Sequence, residues 1–392
     1  MAVTLYAGNR ATWLEADTKP TNLTDGWRGT ELDTGRKFWY YQGEWQTQPD
    51  PQLVGDFRVR FFDIDGTVLK EEWVDQGEDA TAPPTPVYDP TYLDFMEWNQ
   101  PFTNVQSDLD VGAIYNGKDN KTYIFITLNA ITGLTYEPGF SKATTDNMNV
   151  NWGDGNDDDN ASSGSISFPH TYAEAGNYIV TVTCAGNYSI DGNTGRMVVK
   201  VYCAENVTKI GYVLDAEVIS LSTGVLEFWD NYPFSEYLHD LRHLNIPNGV
   251  TTLIEGFVYL SYRFKTISIP NSVTSIGAYA FSECYSFESI SIPNSVTSIV
   301  EDSFFRCYGL KSVWIGTGIT SIGVRSFNTC LALTDIVILA TTPPTIASTT
   351  FTGGTTPNRR KIYVPDANVD DYKTATNWSA IADYIYPLSE RP

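Results

Sequence analysis

The chain has 392 residues, with 25 Lys and Arg against 47 Asp and Glu, a formal charge of −22 and a pI near 4.4. That length allows roughly two to four ordinary domains, and the acidic field repels phosphate backbones and anionic lipid, which speaks against nucleic acid as a partner. Aromatic residues reach 14%, Thr, Ser, Val and Ile recur throughout, and no apolar run is long enough to span a bilayer, so a mainly β, multidomain protein without membrane insertion is expected.

In chain order, the start Met1-Ala-Val-Thr-Leu-Tyr6 has no basic stretch leading into an apolar one, so the chain as written reads as lacking a secretion signal. Within residues 1–50, Glu31-Leu-Asp-Thr-Gly35 and Lys37-Phe-Trp-Tyr-Tyr-Gln-Gly-Glu-Trp45 predict short aromatic strands joined by two tight turns. A meander this small leans on a neighbour to fold. The acidic Asp-Thr-Gly turn ahead of a Tyr-rich hairpin ending in Gly-Glu-Trp resembles the short N-terminal modules of tailed-bacteriophage fibre proteins. The resemblance implies attachment to other virion proteins through Phe38, Trp39, Tyr40, Tyr41 and Trp45, with synthesis in the host cytoplasm and display on the virion surface. It also implies a homotrimer, although no coiled-coil heptads occur.

Residues 57–115 hold Phe57-Arg-Val-Arg-Phe-Phe-Asp-Ile-Asp-Gly-Thr-Val-Leu69, a hairpin with Asp65-Gly66 at its turn, then a crossing loop at Pro83-Pro84-Thr-Pro86. With Trp98 and Phe102, this run resembles the Listeria-Bacteroides repeat, which implies a small β-grasp spacer or adhesive module.

Residues 120–203 contain alternating apolar runs at Tyr178 to Val182 and Met197 to Tyr202, with Asp191-Gly-Asn-Thr-Gly195 between them. A direct hairpin is expected, which would set Cys184 and Cys203 opposite each other as adjacent free thiols. Asn151-Trp-Gly-Asp-Gly155 followed by His170-Thr-Tyr172 resembles the polycystic-kidney-disease (PKD) domain and implies an immunoglobulin-like sandwich. Asp154, Asp157, Asp158 and Asp159 suit a hard cation such as calcium. The EF-hand pattern fails, however, with Asp159 at the sixth position and Ser165 at the twelfth, so a solvated acidic loop is the other reading.

Residues 204–340 repeat at a step of 23: Ile246, Ile269, Ile292 and Ile315; Phe281, Phe304 and Phe327; Cys284, Cys307 and Cys330; Leu244, Ile267, Ile290, Val313 and Ile336. One short strand per coil, stacked into a right-handed solenoid, buries columns that no single coil could bury. Ile269-Pro-Asn-Ser-Val-Thr-Ser-Ile-Gly-Ala-Tyr-Ala-Phe-Ser-Glu-Cys284 resembles the bacterial surface-antigen (BspA-like) leucine-rich repeat. Residues 341–392 resemble the closing segment that follows such repeats and would cap the open end. The fold class expected is therefore mainly β: small β modules and an immunoglobulin-like sandwich, then a leucine-rich-repeat solenoid with its cap.

Chemistry-bearing constellations are sparse. The cysteine column reads as small buried packing residues. His239 and His243 share a spacing of four without a third ligand nearby in sequence, three histidines leave no Ser-His-Asp set standing out, and chance carboxylate pairs have no distinguishing context. No enzyme, metal or cofactor is expected. The outward positions of the repeat strands, Asn245, Ser268, Ser291, Trp314 and Val337, with His243 beside them, are the candidate ligand face. Trp314 is suited to stack on a sugar or fill a partner pocket, or to pack under the cap.

The function expected is adhesion by a phage fibre or decoration protein to a host-surface or mucus glycan or protein. The alternatives are a secreted or surface-anchored bacterial adhesin and a non-catalytic module of a glycan-degrading system.

Overall fold

The computed structural model describes residues 57–128, 135–193, 198–205, 241–353 and 360–391, and short segments only within 4–47 and 207–228. Among these, strands dominate and the single α-helix is Val369–Thr374.

Strands β1 (Thr4–Tyr6), β2 (Arg10–Trp13), β3 (Trp27–Glu31), β4 (Lys37–Tyr41) and β5 (Glu44–Thr47) form one sheet in chain order. The pairs β3–β4 and β4–β5 are antiparallel, as the turn chemistry predicts. The pair β2–β3 is parallel, which departs from a meander; the span 14–26 is long enough for the return crossing that a parallel pair requires.

The next sheet comprises β6 (Phe57–Phe62), β7 (Val68–Val74), β8 (Leu93–Trp98) and β9 (Leu109–Gly117) in the order β7-β6-β9-β8. Its first hairpin turns at Gly66, whose φ of +85° is open to glycine, with the Asp63 amide donating to Thr67 O at 2.9 Å. Strand β9 is parallel to β6 and buried along nearly its whole length. Alternation would leave one face of such a small sheet wet, so something covers it.

The described strands within 122–228 form two facing sheets of six and five strands and a two-stranded one that pairs Thr135–Tyr136 with His170–Thr171. The expected hairpin between Gly176–Cys184 and Val198–Tyr202 does not form. Thr122–Leu128 lies between those strands, pairing Thr122 with Val182 on one side and Tyr123 with Tyr202 on the other. The chain meanwhile crosses to the opposite sheet as Tyr188–Asn193, so Asp191 to Asn193 lie in a strand. Cys184 pairs with Met148 instead. Cys184 and Cys203 are thus held about two strand spacings, or ~10 Å, apart, and both are buried and outside any disulfide. The adjacent-thiol expectation is corrected: alternation fixes which face a side chain takes and leaves the pairing partner open.

The solenoid coils share a triangular plan. One side carries parallel pairing in two runs, His243–Asn245 with Thr266–Ser268, and Ser289–Ile292 with Ser312–Ile315 and Asp335–Ile338. The second side stacks Thr252–Leu253, Ser275–Ile276, Ser298–Ile299, Ser321–Ile322 and Thr345–Ile346. On the third side, the Phe281, Phe304 and Phe327 rings stack nearly parallel at 5.0 and 4.9 Å, continuing to Phe351 at 5.6 Å.

Ile246, Ile269, Ile292 and Ile315 are all buried in one column, as the repeat predicts. Each thiol of Cys284, Cys307 and Cys330 donates to a carbonyl of the preceding coil at 3.0–3.1 Å, and burial pushes the Cys330 thiol up to about 12.

The end of the solenoid is closed. Lys361–Val364 and Ile385–Pro387 extend the parallel ladder, and Trp378 covers Phe351 while its indole N–H donates to Pro344 O at 2.7 Å.

Candidate functional site

The expected ligand face is not open to solvent. Ser268 is 0% exposed, His243 2% and Trp314 5%, and Asn245 and Val337 are equally buried; Ser291 alone of the six stays half-buried. The cover is the β6–β9 sheet, which lies across the outward face of the repeat ladder and accounts for the buried second face of β9.

Two asparagines join the bodies. Asn99, just after β8, donates through Nδ2 to Ile246 O at 2.9 Å and to Ser268 O at 3.2 Å, and its Oδ1 accepts from the Gly112 amide at 2.7 Å. Asn245 reaches the other way, its Nδ2 donating to Ala113 O at 3.0 Å, and Ser268 Oγ donates to Asp110 O at 2.5 Å. Nearby, Arg60 holds Asp110 through two bonds of 2.8 Å. Further along, Trp314 meets the Phe57 ring edge-on at 5.7 Å, while the Arg391 guanidinium lies over the indole at 4.7 Å. The packing alternative for Trp314 therefore describes its surroundings, with the β6–β9 sheet supplying one wall and the C-terminal segment the other.

His243 is committed to this interface. Its Nε2 lies 2.6 Å from Asn245 Oδ1, its Nδ1 lies 2.5 Å from Thr266 Oγ1, and its ring stacks on Phe62 at 5.0 Å. Burial pushes its pKa down from 6.5 to about 4, against the opposing pull of the Asn245 bond, Asp110 and Asp65 and with the help of Arg60. Because the folded value lies below the ordinary one, its contribution is full above about pH 6.5. It is lost as the pH falls from there toward 4, since the unfolded state takes the proton first. Over that window it should amount to about 3 kcal/mol. Urea unfolding of the native chain and of His243→Gln, each at pH 7 and pH 4.5, checks this. Acidification should cost the native chain about 2 kcal/mol more than it costs His243→Gln, and equal losses would refute the assignment. His239 lies outside the described residues, as do the side chains of Phe38, Trp39, Tyr40, Tyr41 and Trp45.

In the sandwich, the Trp-Gly-Asp-Gly run is a structural clasp. Trp152 is buried and its Nε1 donates to Asp158 at 2.8 Å. His170 stacks on the indole at 4.6 Å and bonds Asp154 at 2.8 Å, and Tyr172 OH donates to Trp152 O at 3.0 Å. A Cβ at Gly153 would meet Ile179 O at 2.7 Å. Burial works against ionisation of Asp154, yet the bonds from His170 and Asn156 hold its carboxyl below the usual range. Asp157 and Asp159 accept from Asn149. These carboxylates thus serve protein donors, and among the described residues no group of three or more His, Cys, Asp or Glu is placed to hold a metal.

Sequence alone does not reveal a cleft where the loop after β8 meets the repeat corners. It encloses about 190 Å³ and is lined by Gln100, Pro101 and Thr103 to Leu109 on one side and by Ile269, Asn271 and Ser291 to Asn294 on the other. Gln100 is 5% exposed; its Nε2 donates to Asp110 O, while its buried Oε1 has no partner. The corner asparagines recur at the repeat step, which was a legible signal, but their opposing wall comes from residues far off in sequence.

Comparison with known proteins bears on the solenoid. The model of the BspA type leucine rich repeat region matches residues 229–356 in six copies. No curated protein matches the chain. Among solved structures, a leucine-rich repeat protein from Bacteroides ovatus is 20% identical over 48% of this chain and 53% of that one, with a TM-score of 0.31. A leucine rich cell surface protein from Faecalibacterium prausnitzii is 17% identical over 47% of this chain and 86% of that one, with a TM-score of 0.18. The chain thus spans about half the length of the Bacteroides ovatus protein. Residues 229–356 are a BspA-type leucine-rich repeat region, closed at its C-terminal end and covered along its strand ladder by a small β sheet of the same chain.

Proposed function

We propose that this chain is a non-enzymatic, surface-displayed adhesion protein that binds a host-surface or mucus glycan or protein. The observation that carries this is the BspA-type repeat solenoid bolted to a β module through buried side-chain bonds, which builds a firm platform for a recognition surface. Display on a bacterial cell is the reading we favour. The β7-β6-β9-β8 sheet supports reading residues 57–115 as a Listeria-Bacteroides repeat, and the Trp152 clasp supports reading 120–203 as PKD-like. The test is binding of the purified chain to intact host cells, immobilised mucin and a glycan array, with product analysis alongside. Saturable binding without turnover is expected. Failure on all three surfaces, or release of a cleaved product, would overturn the proposal.

A second reading, a phage virion protein with other virion proteins and a homotrimer as its assembly, draws on the separate five-stranded sheet of residues 4–47. Deleting residues 1–50 should then abolish incorporation into particles while leaving adhesion intact; normal co-purification with virions would refute the anchoring role.

A further inference from the structure

We infer that the cleft between the loop after β8 and the repeat corners is a binding site for a neutral saccharide, one sugar ring deep. The inference deepens the adhesion reading and rests on it for biological meaning. Its physical basis is separate.

The walls are rich in carboxamides, from Gln100, Asn104, Gln106, Asn271 and Asn294. Each such group both donates and accepts, as a sugar hydroxyl does. Thr103, Ser107, Asn271 and Ser291 line the cleft with side chains that make no hydrogen bond among the described residues, so their capacity is available to a ligand. Gln100 supplies the independent sign. Its amide nitrogen is occupied, and its carbonyl oxygen is buried and unpaired. Native interiors rarely leave such an acceptor empty, and this one is closed to solvent within the wall that Gln100 helps to form.

Pro101 and Pro293 add flat apolar surface on opposite walls for the C–H face of a ring. No Lys or Arg lines the cleft, and Asp108 does. That disfavours phosphate, sulfate and carboxylate ligands and selects uncharged sugars. The site is composite: one wall belongs to the β6–β9 body and the other to the solenoid, so it exists only while the two stay docked.

The test is saturation-transfer NMR and calorimetry on the full chain with methyl β-glucoside, methyl α-mannoside and N-acetylglucosamine. At least one should bind. Asn271→Ala and Ser107→Ala, which remove groups without internal bonds, should each weaken it about fivefold with unchanged unfolding midpoints. Absence of binding by all three sugars, or binding indifferent to both substitutions, overturns the inference. Binding of an unstructured peptide that excludes the sugars overturns the ligand class. The two proposals fail separately: adhesion to cells without binding of any of the three sugars keeps the adhesion reading and loses the cleft, whereas sugar binding without adhesion does the reverse.

Discussion

Replacing Phe304 by alanine should destabilise the solenoid by about 3 to 5 kcal/mol. Phe304 is fully buried, with Phe281 stacked 5.0 Å on one side and Phe327 4.9 Å on the other, both within 6° of parallel. Truncation removes an entire ring from the middle of this column. The neighbouring coils cannot collapse into the gap, because their spacing is set by the parallel ladders on the other two sides. In a stacked array each coil draws its stability from its neighbours, so the break also uncouples the coils before it from those after. Ile292→Ala, in the isoleucine column, should cost about 2 to 5 kcal/mol by the same cavity mechanism. Urea unfolding of the full chain measures both; a loss under about 1 kcal/mol for Phe304, typical of an exposed site, would mean the column is not closely packed.

Gly112→Val should release the β6–β9 sheet from the solenoid. A Cβ at position 112 would stand 2.4 Å from both Asn245 Cγ and Oδ1, and 2.8 Å from Asn245 Cβ. The asparagine cannot simply swing away, since its amide is held by Ala113 O and its oxygen by His243. Overpacking of this kind costs about 1 to 3 kcal/mol, and displacement of Asn245 forfeits buried bonds as well. Hydrogen exchange followed by mass spectrometry should show protection falling together in peptides covering 109–117 and 243–246, while the Phe column keeps its protection. Unchanged exchange in both interface peptides would show that the interface tolerates the side chain.

The solenoid was legible in the sequence because a step of 23 puts many residues in phase, and each phase carries one physical requirement: Ile inward, Phe in the stack, Cys at the corner. The interface was not legible. Asn99 and Ser268 are 169 positions apart, and Asn245 and Ala113 are 132 apart, with no periodicity linking them. Alternation along Leu244-Asn245-Ile246 says that Asn245 faces away from the coil core and leaves open whether water or protein waits there. The small residues at these outward positions, Asn245 and Ser268, with Gly112 opposite, are what close approach of two backbones requires. The sandwich pairing was hidden for a related reason: Tyr188 and Ile190 precede the loop-like Asp191-Gly-Asn run and share its turn-rich character, although both side chains are buried in the second sheet.

The position of Trp314 has a mechanical corollary. Its indole touches Phe57, at the start of the second sheet, and Arg391, at the last turn of the cap, and Arg391 is itself tied to Asp335 at 2.9 Å. A pulling force that enters at Phe57 and leaves at Arg391 therefore crosses the width of a single side chain instead of running through the stacked coils. The array would be spared from stretching, and the first bonds to yield under tension would be those around one tryptophan.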